Sequence, residues 1–127
     1  MTAEITKKLN MKPGQRLWVL NPPEDFQQIL DGVDITAEGS APAEAVLLFV
    51  GSLAELKASA PGGLGAVDRK GLMWIAYPKS SSGVKTDINR DTLWEAMKPS
   101  GWRPVRQVAL DGTWSALRFR PAEDVDK

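Results

Sequence analysis

The sequence predicts an α/β protein: a three-layer sandwich around a mostly parallel sheet of about six strands, closed by a C-terminal antiparallel hairpin. Three observations predict it. Ala45–Val50 (AVLLFV) and Leu72–Tyr77 (LMWIAY) are apolar throughout, the pattern of strands buried on both faces of a parallel sheet. Segments with helical spacing and helix caps alternate with these runs. Near the C-terminus, Val105–Leu110 and Thr113–Arg120 flank Asp111-Gly112, a strong short hairpin signal.

Taken in order, residues 2–10 suit a short helix, with Ile5 and Leu9 on one face, ended by Lys12-Pro13-Gly14. Arg16–Leu20 (RLWVL) reads as the first strand, broken by Asn21-Pro22-Pro23. A helix fits 23–30, with Pro23 at its first position, Phe26, Ile29 and Leu30 on its apolar face and Gly32 past its end. Val33–Thr36 is a short second strand and Gly39–Glu44 a polar loop. After the run at 45–50, Ser52-Leu-Ala-Glu55 is a capping box that opens a helix carrying Leu53 and Leu56. Pro61-Gly62-Gly63 is expected to stop that helix, with one further helical turn over 64–69 before the run at 72–77. Asn89 is the N-cap of the next helix, Asp91 complements its dipole, and Ile88 and Leu93 occupy the staple positions. That helix reaches about Lys98 and stops at Pro99-Ser100-Gly101. The acidic tail 121–127 is expected to fray. The order is α β α β β α β α β β, with right-handed crossovers.

The 127 residues suit a single domain spanning 1–127, and a hydrophobic fraction of 43% supports a real core. Sixteen basic residues balance sixteen acidic ones, so a uniformly basic nucleic-acid face is not expected. The chain has no cysteine and no histidine. Disulfides, the usual zinc sites and Ser-His-Asp or Cys-His nucleophile systems are thereby excluded. Acid–base chemistry would fall to carboxylates, lysines or the single tyrosine, Tyr77. No stretch approaches a membrane span, and MTAEITKKLN lacks the apolar core of a signal peptide, so the expected location is cytoplasmic.

The element order resembles a trimmed Rossmann-like methyltransferase core. More closely, KPGQRLWVLNPP, AVLLFVGS, GLMWIAYPKSSSGVKTD and DGTWSALRF resemble a small bacterial family of unknown function. The resemblance implies a fold and a bacterial origin, and no catalytic residues. The methyltransferase superfamily places a glycine-rich loop after the first strand. Here that loop is Asn21-Pro22-Pro23-Glu24-Asp25, where two prolines remove donors and two acids stand where an anionic cofactor group would sit. Glu38 points the other way, because the superfamily usually has an acid just past the second strand to hold ribose hydroxyls.

Three stretches are site candidates. The loop Lys79–Asp87 would lie at the carboxyl ends of the strands, where open α/β sheets bind ligands. Its Lys79, Ser81, Gly83, Lys85 and Thr86 can hold an anion, and its plainer reading is a solvated link with a helix cap. A cofactor cleft would be bounded by Asn21, Glu38, Gly51 and Ser52. In Asp111–Arg118, Trp114 is either a binding aromatic or a residue packed over the sheet edge. Arg118 and Arg120 alternate onto one face with Trp114 and Ala116, to which Arg16, Arg103 and Arg106 can add charge. The cluster Gly62-Gly63-Leu64-Gly65 follows a helix and reads as a helix stop rather than half of a dinucleotide fingerprint. Trp94, beside Leu93 and Met97, is the tryptophan expected at the surface, where it can mark self-association.

These observations favour a non-catalytic binding or interaction domain without a cofactor. Its partner would be a protein, a second copy or a small anion. The alternatives are a divergent enzyme binding S-adenosylmethionine or a nucleotide, and a weak nucleic-acid binder using the loop lysines and hairpin arginines.

Overall fold

A computed structural model of the chain describes residues 7–11, 16–21, 35–36, 43–79, 83 and 85–121. Six strands form one sheet: β1 (Leu17–Leu20), β2 (Ile35–Thr36), β3 (Ala43–Phe49), β4 (Val67–Pro78), β5 (Trp102–Ala109) and β6 (Trp114–Pro121). Two α-helices are present among the described residues, α1 (Leu53–Ala66) and α2 (Arg90–Met97), the second followed by a 3-10 turn over Lys98–Ser100. The strand order is β2-β1-β3-β4-β6-β5. β1 to β4 run parallel, and β6 pairs antiparallel with both β4 and β5.

This corrects the expected three-layer Rossmann-like sandwich. The sheet is mixed, and its final strands are out of sequence order, because the chain crosses to the outer edge as β5 and turns back so that β6 inserts beside β4. Both described helices lie on one face. Leu56, Ala60 and Ala66 of α1 and Leu93 and Met97 of α2 pack with Val46, Leu48, Met73, Ile75, Leu117 and Phe119. The other face gathers Leu17, Val19, Ala45, Leu47, Phe49, Leu72, Trp74 and Ala116, and Leu9, Met11 and Leu110 cover it. Continuous apolar strands do require burial on both faces. They do not specify what supplies it; among the described residues it is Leu9, directly after helical Lys7 and Lys8, together with Met11 and Leu110, while the rest of the helix expected over 2–10 lies outside the described residues.

Most local signals for these elements act as their chemistry dictates. Ser52 Oγ accepts the Glu55 N–H at 3.2 Å and caps α1. The Glu55 carboxylate turns back to the Gly51 N–H rather than to that of Ser52. Asn89 and Thr92 form a reciprocal capping box on α2, at 3.0 and 2.8 Å. Ile88 and Leu93 are both buried at its start. The helix at 23–30 lies outside the described residues.

The expected stop at Pro61-Gly62-Gly63 is a second correction, since α1 continues to Ala66. Pro61 is exposed and so is Lys57, whose carbonyl loses its helical donor, so water can serve that oxygen. Gly63 is buried against the sheet, where an added Cβ would stand 3.1 Å from Met73 Cε. Glycine here lets the helix lie close on the strands, and that packing outweighs its poor propensity. Gly65 differs: it is exposed and has nothing within 4 Å of an added Cβ. Gly65→Ala is therefore expected to stabilise the protein by about 0.5–1 kcal/mol, read as a higher urea midpoint.

The β5–β6 hairpin forms around Asp111-Gly112 by a different device from a two-residue turn. Asp111 Oδ1 accepts the N–H groups of Thr113 at 2.8 Å and Trp114 at 2.7 Å. Trp114 packs edge-on against Phe49, with ring centroids 5.0 Å apart and an interplanar angle of 83°. No helix among the described residues is long and apolar enough to cross a membrane.

Candidate functional site

The site region sits where β4 ends and α2 begins. Tyr77, Lys79, Asn89, Arg90, Asp91, Gln107 and Ser115 line an open hollow of about 460 Å³. Sheet pairing builds it. Tyr77 stands opposite Ser115 on β6, and Gln107 of β5 stands opposite Leu117. The Lys79 N–H bonds Thr113 O at 2.7 Å, fastening the exit of β4 to the hairpin.

Tyr77 is buried, and its phenol oxygen accepts a hydrogen bond from Gln107 Nε2 at 2.9 Å. Burial pushes its pKa up, and Asp91 adds to this, while Arg90 and the Gln107 bond pull it down. The net direction is upward, so the group stays a neutral phenol at physiological pH. Because Gln107 donates to the oxygen, the phenol proton remains available for donation to a ligand. Arg90 pairs with Asp91 at 3.6 Å in an exposed contact of little energetic weight.

The candidate residues of the 79–87 loop do not converge. Lys79 lines the hollow, whereas Lys85 and Gly83 are exposed, Gly83 at φ 82° with open space around it. Thr86 is structural: its hydroxyl donates to Gly51 O at 2.6 Å and accepts the Ile88 N–H at 3.2 Å. Ser81 lies outside the described residues.

The candidate cleft is divided. Glu38 lies outside the described residues, as do Pro22, Pro23, Glu24 and Asp25. Asn21 sits at a left-handed φ of 53° and donates from Nδ2 to Ser59 Oγ at 2.6 Å. It lines a separate, mostly apolar hollow with Trp18, Leu20, Leu48 and Ser59. Gly51 and Ser52 open α1, where protein side chains take three of the N–H donors. Glu55 accepts from Gly51, Ser52 from Glu55, and Asp87 Oδ1 from Leu53 at 2.8 Å.

Val105 on the sheet's outer strand is 40% exposed, and Trp94 of α2, which lines a hollow with it, is 44% exposed. Lys98 Nζ lies 5.6 Å from the centre of the Trp94 ring. β5 carries Pro104, a register shift between Pro104 and Arg106, and the charges of Arg103 and Arg106. Such features protect an edge from pairing with another strand.

Sequence reasoning singled out Tyr77 and Lys79 and missed Asn89 as a lining residue, together with Arg90, Asp91, Gln107 and Ser115. Gln107 lies 30 residues from Tyr77 and reaches it only through the order β4-β6-β5, so no local pattern marks it. Comparison with protein-family models and with curated proteins found no match to the chain.

Proposed function

We propose that the protein is a non-catalytic binding domain that holds a small anionic ligand in the Tyr77 hollow. The observation that carries this reading is the state of Tyr77: a buried neutral phenol, fixed by Gln107, with its proton free to be donated. A phenol held in that form is a recognition group rather than a base. Lys79 and Arg90 in the same lining supply positive charge, and Ser115 and Asn89 supply further polar atoms. The edge devices of β5, above all the like charges of Arg103 and Arg106, weigh against a second copy pairing along that strand.

Thermal unfolding with inorganic phosphate, sulfate, nucleotides and S-adenosylmethionine tests the reading. A ligand at about 100 times its Kd adds roughly 2.7 kcal/mol, a rise of several degrees for a chain of this size. Tyr77→Phe is expected to weaken binding by about 10- to 100-fold, the worth of one hydrogen bond to a charged group. A shift given by S-adenosylmethionine and kept in Tyr77→Phe would support the cofactor-binding alternative instead. No shift across the panel would overturn the proposal.

The same variant has a signature at alkaline pH. The folded chain holds the Tyr77 proton more tightly than the unfolded chain. Its contribution is therefore complete below the ordinary tyrosine value of 10.0 and is lost as pH rises from there through the folded value. Tyr77→Phe should flatten that decline in stability above pH 10.0, measured by denaturation at fixed pH.

A further inference from the structure

The sheet face opposite α1 and α2 carries a group of arginines that the Tyr77 hollow does not use. Arg106 of β5 stands directly across from Arg118 of β6, and Arg103 stands across from Arg120. Arg118 and Arg120 are two residues apart on one strand, so both project on the face of Trp74, Ala76 and Ala116. Cross-strand partners share a face with Cβ atoms about 5 Å apart, and like charges in that position destabilise a sheet. Arg118 bears the consequence. Its Nε is buried without a hydrogen-bond partner. Burial, then Arg120 and Arg106, lower its pKa.

Two features narrow what such a cluster would take. Guanidinium groups present paired N–H donors that match phosphate oxygens bidentately. Among the described residues the cluster is also compact. Lys8, bonded to Ala109 O, stands by the far end of β5, and Lys98 and Arg90 belong to α2 and its end on the other side of the sheet. A long nucleic-acid strand would need a continued basic track, whereas a short run of phosphoryl groups matches adjacent arginines on two strands.

We propose that Arg106, Arg118 and Arg120 form a site for a compact polyphosphate group, separate from the Tyr77 hollow. The group can be free or can be the phosphate chain of a nucleotide. Inorganic tripolyphosphate is the probe, titrated calorimetrically into the full chain, with ATP and a single-stranded oligonucleotide as further arms. Tripolyphosphate is expected to bind. Arg106→Gln and the exposed Arg120→Gln should each weaken it by about tenfold. Tyr77→Phe should leave it unchanged, which separates this site from the one proposed above. Without ligand, Arg106→Gln should melt at or above the wild-type temperature, because one like-charge pair is relieved. Equal affinity for ATP and tripolyphosphate would assign recognition to the phosphates alone, and tighter binding of ATP would place the nucleoside against the same site. Failure of wild type to bind tripolyphosphate, undiminished binding by both arginine variants, or preference for the oligonucleotide over tripolyphosphate would overturn the proposal.

Discussion

Trp74→Ala is expected to lower stability by about 4 kcal/mol, within the range of large-to-small changes at a buried aromatic. Trp74 is fully buried at the centre of the face covered by Leu9, Met11 and Leu110. Its indole N–H also donates to Leu9 O at 3.0 Å, across 65 residues of sequence. The substitution therefore opens a cavity and leaves a buried carbonyl without its donor. Total stability for domains of this kind is about 5–15 kcal/mol, so the loss is a large fraction. Trp74→Phe separates the two effects. It keeps an aromatic ring and removes the donor, at a cost of about 1–3 kcal/mol. Denaturant midpoints measure both variants. In Trp74→Phe, residues 7–11 should also become more open to limited proteolysis, because their tether to the sheet is gone.

Gly71→Ala is the second large effect, expected to cost about 2–3 kcal/mol. An added Cβ would lie 2.7 Å from Glu44 O, 3.0 Å from Asp68 O and 3.1 Å from Ala43 O. All three are backbone oxygens, so no rotamer change can relieve the contact. Gly71 lies beside the place where the β3–β4 register shifts between Ala43 and Ala45, and glycine allows the two strands to approach there. The urea midpoint of Gly71→Ala should fall where that of Gly65→Ala rises. One substitution thus carries opposite signs, decided by the space around each glycine.

What the sequence revealed was local. The apolar runs at 45–50 and 72–77, the caps at Ser52 and Asn89 and the turn at Asp111-Gly112 all rest on interactions within a few residues, and such interactions leave a pattern in the chain. Features made by distant residues left none. α1 passes through Pro61 because Gly63 packs beneath Met73, ten positions further along the chain. Among the described residues that cover the second face, helical spacing marked Leu9 as apolar-facing without saying what it meets, and no periodicity marked Leu110. Alternation alone placed Arg118 and Arg120 on one face, but the pairing of Arg106 with Arg118 depends on a register shift inside β5. Tyr77 stood out as the single tyrosine, while Gln107, which determines what its hydroxyl can do, had no sequence signal.

The start of α1, with three of its N–H groups taken by side chains, bears on which anions the two proposed sites would tell apart. A helix N-terminus with open N–H groups fixes the positions of several oxygens at once and so selects an anion by shape. Here Ser52, Glu55 and Asp87 fill that role from within the chain. In the proposed sites recognition would fall to Lys79, Arg90 and the hairpin arginines, whose long side chains adapt to the arrangement of charge they meet. Sites built this way would discriminate among anions by number of charges more than by outline, and chemically different ligands of equal charge would compete for them.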